Sequence, residues 1–147
     1  MLIAGLFPYC LGAAIAFYTE KQFNLFFFVV GLIGLLFVLI GIEGFNEFFD
    51  WAMGTDRVFL LYPQPVTTRD FLVGSTAFVG ALIVAIFLTL QLGVTIIILS
   101  VVGFLAALFY LGPPLKLAYR GLGEMTIAFS YGPLMLLGSY YLQTQRV

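Results

Sequence analysis

Hydrophobic residues fall into five long runs along this chain, separated by polar connections. A helix needs about 20 apolar residues, with about 17 to 25 tolerated, to cross the hydrocarbon layer of a bilayer. Each run satisfies this length, and Glu43 is the only Asp, Glu, Lys or Arg within them. The pattern therefore predicts five membrane-spanning helices: Leu2–Tyr18, Leu25–Phe45, Phe71–Leu90, Val94–Leu111 and Met125–Leu142, the last kinked at Pro133.

Composition agrees with a bilayer as the solvent of this chain. Hydrophobic residues make up 63% of it and charged residues only 9%, too few to cover the surface of a water-soluble domain. We therefore predict an all-α, polytopic helical bundle, with residues 1–147 forming a single transmembrane domain. A net charge of −1 argues against nucleic-acid binding, and the absence of histidine excludes imidazole metal sites and histidine-based triads within the chain.

Two of the connections are long and polar, namely 46–70 and 112–124. Both follow even-numbered helices, so both must lie on the same face of the membrane. The positive-inside rule places the more basic face in the cytoplasm. The prediction is an integral protein of the inner or plasma membrane with both long loops in the cytoplasm, since these carry Arg57, Arg69, Lys116 and Arg120, against Lys21 and Arg146 on the other face.

Candidate chemistry gathers where the second helix meets its loop. If that helix continues past Phe45, Asn46 and Asp50 are one turn apart and share a face, which Glu43 joins. Gly54 is a candidate for the residue that ends the helix, and Asp56 then folds back over the opening. Such a ring of amide and carboxylate oxygens suits Mg²⁺ bridged to phosphates.

Basic residues of the two loops fit the same chemistry. Arg57, Lys116 and Arg120 could neutralise the oxygens of a bound phosphate. The alternative is that the acidic residues only solvate a loop, and composition leaves that alternative open.

Two stretches carry a resemblance to a known family. "NEFFDWAMGTDR" resembles the first aspartate motif of the UbiA family of intramembrane prenyltransferases, Asn-x-x-x-Asp-x-x-x-x-x-Asp. "PPLKLAYRGLGEMTIAFSYGP" resembles the family's connection between helices four and five, in the form typical of enzymes that prenylate 1,4-dihydroxy-2-naphthoate for menaquinone synthesis. The two stretches occur in the family's order and on the same predicted face.

The resemblance implies a fold of about nine spans, of which this chain holds the N-terminal half. It implies Mg²⁺-dependent transfer of a polyprenyl group from polyprenyl diphosphate to an aromatic acceptor such as 1,4-dihydroxy-2-naphthoate. Asp50 and Asp56 would be catalytic, and Asn46 would join them in binding the metal. The diphosphate contacts would be Asn46, Arg57, Tyr110, Lys116 and Arg120.

Some positions depart from the family's pattern. Glu47 stands where the family often has aspartate, and five residues rather than three separate Tyr110 from Lys116. The family's second aspartate motif lies between helices six and seven, beyond these five spans. A UbiA-type enzyme with a haem, chlorophyll or lipid acceptor remains an alternative. So do a non-catalytic membrane fragment and a transporter subunit with an ion path at Glu43.

Overall fold

A computed structural model describes residues 2–53, 68–112 and 114–146, without the side chains of residues 2, 50–53 and 111. The described residues are almost all helical and include no strand, which confirms the all-α fold class. The helices are α1 Leu2–Glu20, α2 Leu25–Met53, α3 Thr68–Leu92, α4 Val94–Leu111, α5 Gly123–Phe129 and α6 Met135–Thr144. A 3₁₀ turn, Leu117–Arg120, precedes α5, and a π-helical turn, Ser130–Leu134, joins α5 to α6.

The lengths of these helices suit a bilayer. Within the described part of the chain, three helices, α1 to α3, are long and apolar enough to cross one. The 18 residues of α4 rise about 27 Å, close to the roughly 30 Å of hydrocarbon. The fifth predicted span corresponds to the helical run from α5 to α6. The π-helical turn in its middle contains Pro133, whose missing N–H removes one α-helical hydrogen bond.

The helices around the first long loop extend further than their apolar runs. We expected the second helix to end near Phe45 and the third to begin at Phe71, but α2 continues to Met53 and α3 begins at Thr68. The conditional prediction that α2 runs through Asn46 and Asp50 is thereby confirmed. Phenylalanines that pack against α3 continue past the apolar run and support the extra turns. Gly54, predicted to end the helix, lies outside the described residues.

The first helix runs parallel to the last. A Cβ atom at Gly12 would collide with the backbone oxygen of Leu136, so the two helices meet backbone to backbone. The Ser139 hydroxyl donates a 2.6 Å hydrogen bond to the carbonyl oxygen of Tyr9, and Ala13 and Ala16 are buried. Small residues are typical of helix contacts in membranes, because attraction there depends on close approach.

α2 and α3 pack together as an antiparallel pair, also through glycine. A Cβ atom at Gly44 would lie 2.8 Å from the carbonyl oxygen of Asp70 and 2.9 Å from Gly74 Cα. One turn earlier, a Cβ at Gly41 would lie 2.9 Å from the ring of Phe78. The two helices therefore touch closely just before the polar end of α2.

The opposite end of the bundle is fastened by polar contacts between distant segments. The Tyr141 hydroxyl donates to the Leu92 carbonyl at the end of α3, and that of Tyr9 donates to the Phe28 carbonyl in α2. Arg146 and Glu20 form a salt bridge of 3.3 Å. The short connection after α1 and the last residues of α6 therefore lie at one end of the bundle. The last residues of α2 and of α4 lie at the opposite end of the bundle. This arrangement agrees with the predicted placement of both long loops on one face.

Candidate functional site

The polar end of α2 separates its side chains into two faces. Positions 43 and 47, and likewise 46 and 50, are four residues apart, so all four positions share one face of the helix. Glu43 and Glu47 are exposed on this face, and Asn46 is half-buried. Positions 45, 48 and 49 lie on the opposite face. The last turns of α2 thus present amide and carboxylate groups away from α3.

Aromatic rings hold the other face against α3. The ring of Phe45 lies 5.6 Å from that of Phe71 and 5.2 Å from that of Phe78, and Phe48 lies 5.1 Å from Phe71, measured between centroids. These separations are in the favourable range for aromatic pairs. Phe48 thus packs against α3. The cluster orients the polar face of α2 by fixing its rotation.

Two tyrosines bring the later helices to this polar face. Glu43 of α2 and Tyr110 of α4 both lie within electrostatic range of the Tyr131 hydroxyl. Tyr131 is half-buried, and its ring would lie 3.5 Å from a Cβ atom at Gly5 in α1. The ring of Tyr110 lies 3.3 Å from the Cβ position of Gly123 at the start of α5. Residues from α2, α4 and the π-helical turn therefore converge at one end of the bundle.

The connection between α4 and α5 supplies cations at the same end. Lys116 is half-buried and adopts a left-handed conformation with φ of 47°, just before the 3₁₀ turn. The exposed Arg120 closes this loop, because its Nη2 donates to the Pro114 carbonyl oxygen at 3.4 Å. Arg120 is thus held by the loop's own backbone, with its remaining guanidinium N–H groups available to a ligand.

The structure tests the predicted metal ligands only in part. Asn46 and Asp50 lie one turn apart on the same helix, as predicted. The side chain of Asp50 and the whole of Asp56 and Arg57 lie outside the described residues, so their convergence stays a prediction. Among the described residues, no group of three His, Cys, Asp or Glu is placed to hold a metal. The oxygen donors on this face of α2 are nevertheless of the type that Mg²⁺ prefers.

Sequence reasoning missed residues that shape this end without carrying charge. Gly44 and Gly74 allow α2 and α3 to touch. The signal for Gly44 is the recurrence of glycine at positions 31, 34, 41 and 44 of α2. Tyr131 is a further residue of this kind. Its position beside Glu43 depends on the packing of the π-helical turn against α1 and α4, which no local pattern encodes.

Comparisons with known proteins give two relatives that extend over nearly the whole chain. One is the 1,4-dihydroxy-2-naphthoate octaprenyltransferase of Bacillus subtilis, 24% identical over an alignment of 155 positions that covers 99% of this chain. Another is the 2-carboxy-1,4-naphthoquinone phytyltransferase of a Synechocystis species, 26% identical over an alignment of 149 positions that also covers 99% of this chain. The chain spans about half the length of these curated relatives, 49% and 48%. No family model and no solved structure gives a significant match.

Proposed function

Because this chain is a homologue of two UbiA-family prenyltransferases over 99% of its length, we propose that it takes part in transferring a polyprenyl group to an aromatic acceptor. The acceptor class that best fits both relatives is a naphthoate or naphthoquinone of menaquinone-type synthesis. The donor would be a polyprenyl diphosphate, dissolved in the bilayer by its isoprenoid chain.

One structural observation carries the proposal. α2 continues into the first motif as far as Met53, so Asn46 and Asp50 share a face at the same end of the bundle as Lys116 and Arg120 of the second motif. An anion at this end would meet cations from one connection and metal-binding oxygens from the other. A diphosphate with bound Mg²⁺ requires this combination, because its oxygens need both a metal and positively charged side chains.

The chain's residues divide the work by their chemistry. Asn46, Asp50 and Asp56 would hold Mg²⁺, which when bound neutralises the diphosphate as it departs. Lys116 and Arg120, with Arg57, would hold the phosphate oxygens by charge-assisted hydrogen bonds. Tyr110 lies at the end of α4 and would donate its phenolic hydrogen to the same group. The apolar helices would keep water from the allylic cation.

Orientation in the membrane belongs to the same proposal. Helices suited to span a bilayer support an integral membrane protein, and the charge difference between the two faces favours a cytoplasmic site. The cytoplasm is also where a water-soluble diphosphate headgroup and its Mg²⁺ would be accessible.

Binding of a short donor by the full 147-residue chain tests the proposal without needing turnover. The chain would be purified in dodecyl maltoside and titrated with geranyl diphosphate by calorimetry, with and without Mg²⁺. We expect Mg²⁺-dependent binding that Asp50→Asn weakens about tenfold or more, since charged hydrogen-bond and metal contacts are worth about 1.5 to 3 kcal/mol.

Asp70→Asn provides the matched control. It removes the same charge at the same end of the bundle, from the first turn of α3 rather than from the polar face of α2. Equal weakening by both substitutions would reduce the effect to general electrostatics and contradict a specific site. Binding that does not depend on Mg²⁺ would contradict the metal assignment.

A further inference from the structure

A second polar feature lies at the opposite end of the bundle from the proposed diphosphate site. There, the turn between α1 and α2 and the end of α6 enclose a cleft of about 480 Å³. Gln22, Asn24, Gln143 and Gln145 supply most of its polar lining, together with the backbone at the start of α2. No residue assigned to prenyl transfer lines it. Another cleft of similar size, between α4 and α5, has an almost wholly apolar lining.

The orientation of the Gln143 amide is fixed by its neighbour. The backbone N–H of Asn24 donates to Gln143 Oε1 at 2.6 Å, and a backbone N–H can only donate, so the oxygen must face it. The NH₂ group therefore points elsewhere. Gln143 is only 6% exposed, and among the described residues its buried Nε2 has no hydrogen-bond partner. An unsatisfied buried amide donor costs about 1 to 3 kcal/mol. Gln143 lines the cleft, so an acceptor that reached Nε2 from the cleft would relieve this cost.

The start of α2 borders the same cleft. The first turn of a helix has N–H groups without helical partners and a partial positive charge. Asn24 Oδ1 accepts the N–H of Phe27 at 3.1 Å, and the N–H groups of Leu25 and Phe26 complete that first turn. Leu25 lines the cleft beside Gln143. Gln143 and the N-terminus of a helix thus line one cleft.

Charge at this end also favours an anion. Its described charged residues are Glu20, Lys21 and Arg146. Glu20 is paired with Arg146, which leaves Lys21 as the excess cation next to Gln22. The Lys21 ammonium lies over the ring of Tyr18, 5.0 Å from its centroid, where an exposed cation remains free to turn towards a ligand.

We propose that this cleft binds a phosphate group at the membrane surface, held by Gln143 Nε2, the N-terminus of α2 and Lys21. Phosphate offers acceptors on several sides, and it matches a site built only from donors and positive charge. The group could be the phosphodiester of a phospholipid headgroup or free phosphate, since both present the same oxygens.

Two probes separate these sources. The full chain in dodecyl maltoside would be titrated with inorganic phosphate and with dihexanoylphosphatidylglycerol, at constant ionic strength, and ³¹P line widths followed. Binding of both probes would show that phosphate alone suffices, and binding of the lipid alone would identify the headgroup as the ligand. If wild-type chain broadens neither signal, the proposal is wrong.

Substitutions then locate the binding. Gln143→Glu keeps an oxygen for the Asn24 N–H but replaces the unpartnered donor with a negatively charged acceptor, so we expect affinity to fall at least tenfold. Gln91→Glu is the matched control, because it adds the same charge at the same end from an exposed position outside the cleft, and it should change affinity less than twofold. Similar losses in both variants would assign binding to surface charge and overturn the site.

A variant without new charge covers the case in which a buried carboxylate prevents folding. Gln143→Met retains much of the side-chain volume and removes the donor. Its helical content would be verified by circular dichroism, and its phosphate affinity should also fall several-fold. Wild-type affinity in a folded Gln143→Met chain would contradict the role of the amide.

Discussion

The glycine contact between α2 and α3 can be tested by adding a single methyl group. Gly44→Ala places a Cβ atom 2.8 Å from the Asp70 carbonyl oxygen and 2.9 Å from Gly74 Cα and N. All three atoms are backbone, so no rotation of a side chain relieves the collision. To reach the 3.4 Å at which ordinary contact begins, the two helices must separate by about half an ångström.

The cost of this separation exceeds the gain from a better helix former. Overfilling a packed contact typically lowers stability by about 1 to 3 kcal/mol. Separating the helices also weakens the contacts of the Phe45 and Phe48 rings with α3. Alanine in place of glycine returns at most about 1 kcal/mol of helix propensity. A net loss of about 1 to 2 kcal/mol corresponds to a fall in melting temperature of roughly 2 to 8 °C for a chain of this size.

Gly138→Ala is the matched control. It is the same substitution in another membrane helix, where a Cβ atom would meet nothing within 4 Å. We expect its melting temperature to remain equal to wild type or to rise by up to about 4 °C. Thermal unfolding of both variants in dodecyl maltoside, followed by circular dichroism at 222 nm, gives the comparison. If Gly44→Ala is as stable as Gly138→Ala, the close backbone contact does not hold α2 in place.

Three further outcomes are expected. Cysteines introduced at Thr68 and Gly121 should react with a membrane-impermeant reagent from the same side of the membrane, and labelling from opposite sides would refute the shared face of the two long loops. Tyr141→Phe removes the hydrogen bond to the Leu92 carbonyl and should lower the free energy of unfolding by about 0.6 kcal/mol, up to about 1.7, whereas the neighbouring Tyr140→Phe should not. Residues 1–147 alone should form no prenylated product from labelled polyprenyl diphosphate and 1,4-dihydroxy-2-naphthoate, because the resemblance assigns part of the diphosphate site to a second motif. Activity within tenfold of a full-length relative would contradict that division.

Features set by local spacing could be predicted, and features set by pairing between helices could not. Apolar length alone indicates where the helices lie, and the interval between Asn46 and Asp50 indicates a shared face. The same pattern placed the end of α2 too early, because Phe48 and Phe49 belong to a stretch whose mean hydropathy is lowered by neighbouring acids. Their contacts with α3 supply the stability that hydropathy does not measure.

The candidate site shows the same limit. The residue types at its motifs indicate an anion and a metal, and a resemblance to a family supplies their roles. The convergence of Glu43, Tyr110 and Tyr131 requires three helices to meet. A single sequence contains no record of which helix is the neighbour of which, so a tyrosine in the fifth span carries no local sign of its partner in the second.

The parallel contact between α1 and α6 has a consequence for biosynthesis. Ser139 and Tyr9, which share a hydrogen bond, are 130 residues apart in the chain. At about 5 to 20 residues per second, a ribosome that has made Tyr9 needs roughly 7 to 26 s to reach Ser139. During that interval the small-residue surface of α1, with Gly12, Ala13 and Ala16, has no α6 to pack against. We therefore expect lipid or an insertase to cover this surface of the nascent first helix. The helix should leave that cover only after the fifth span has been translated and α6 can pack against it.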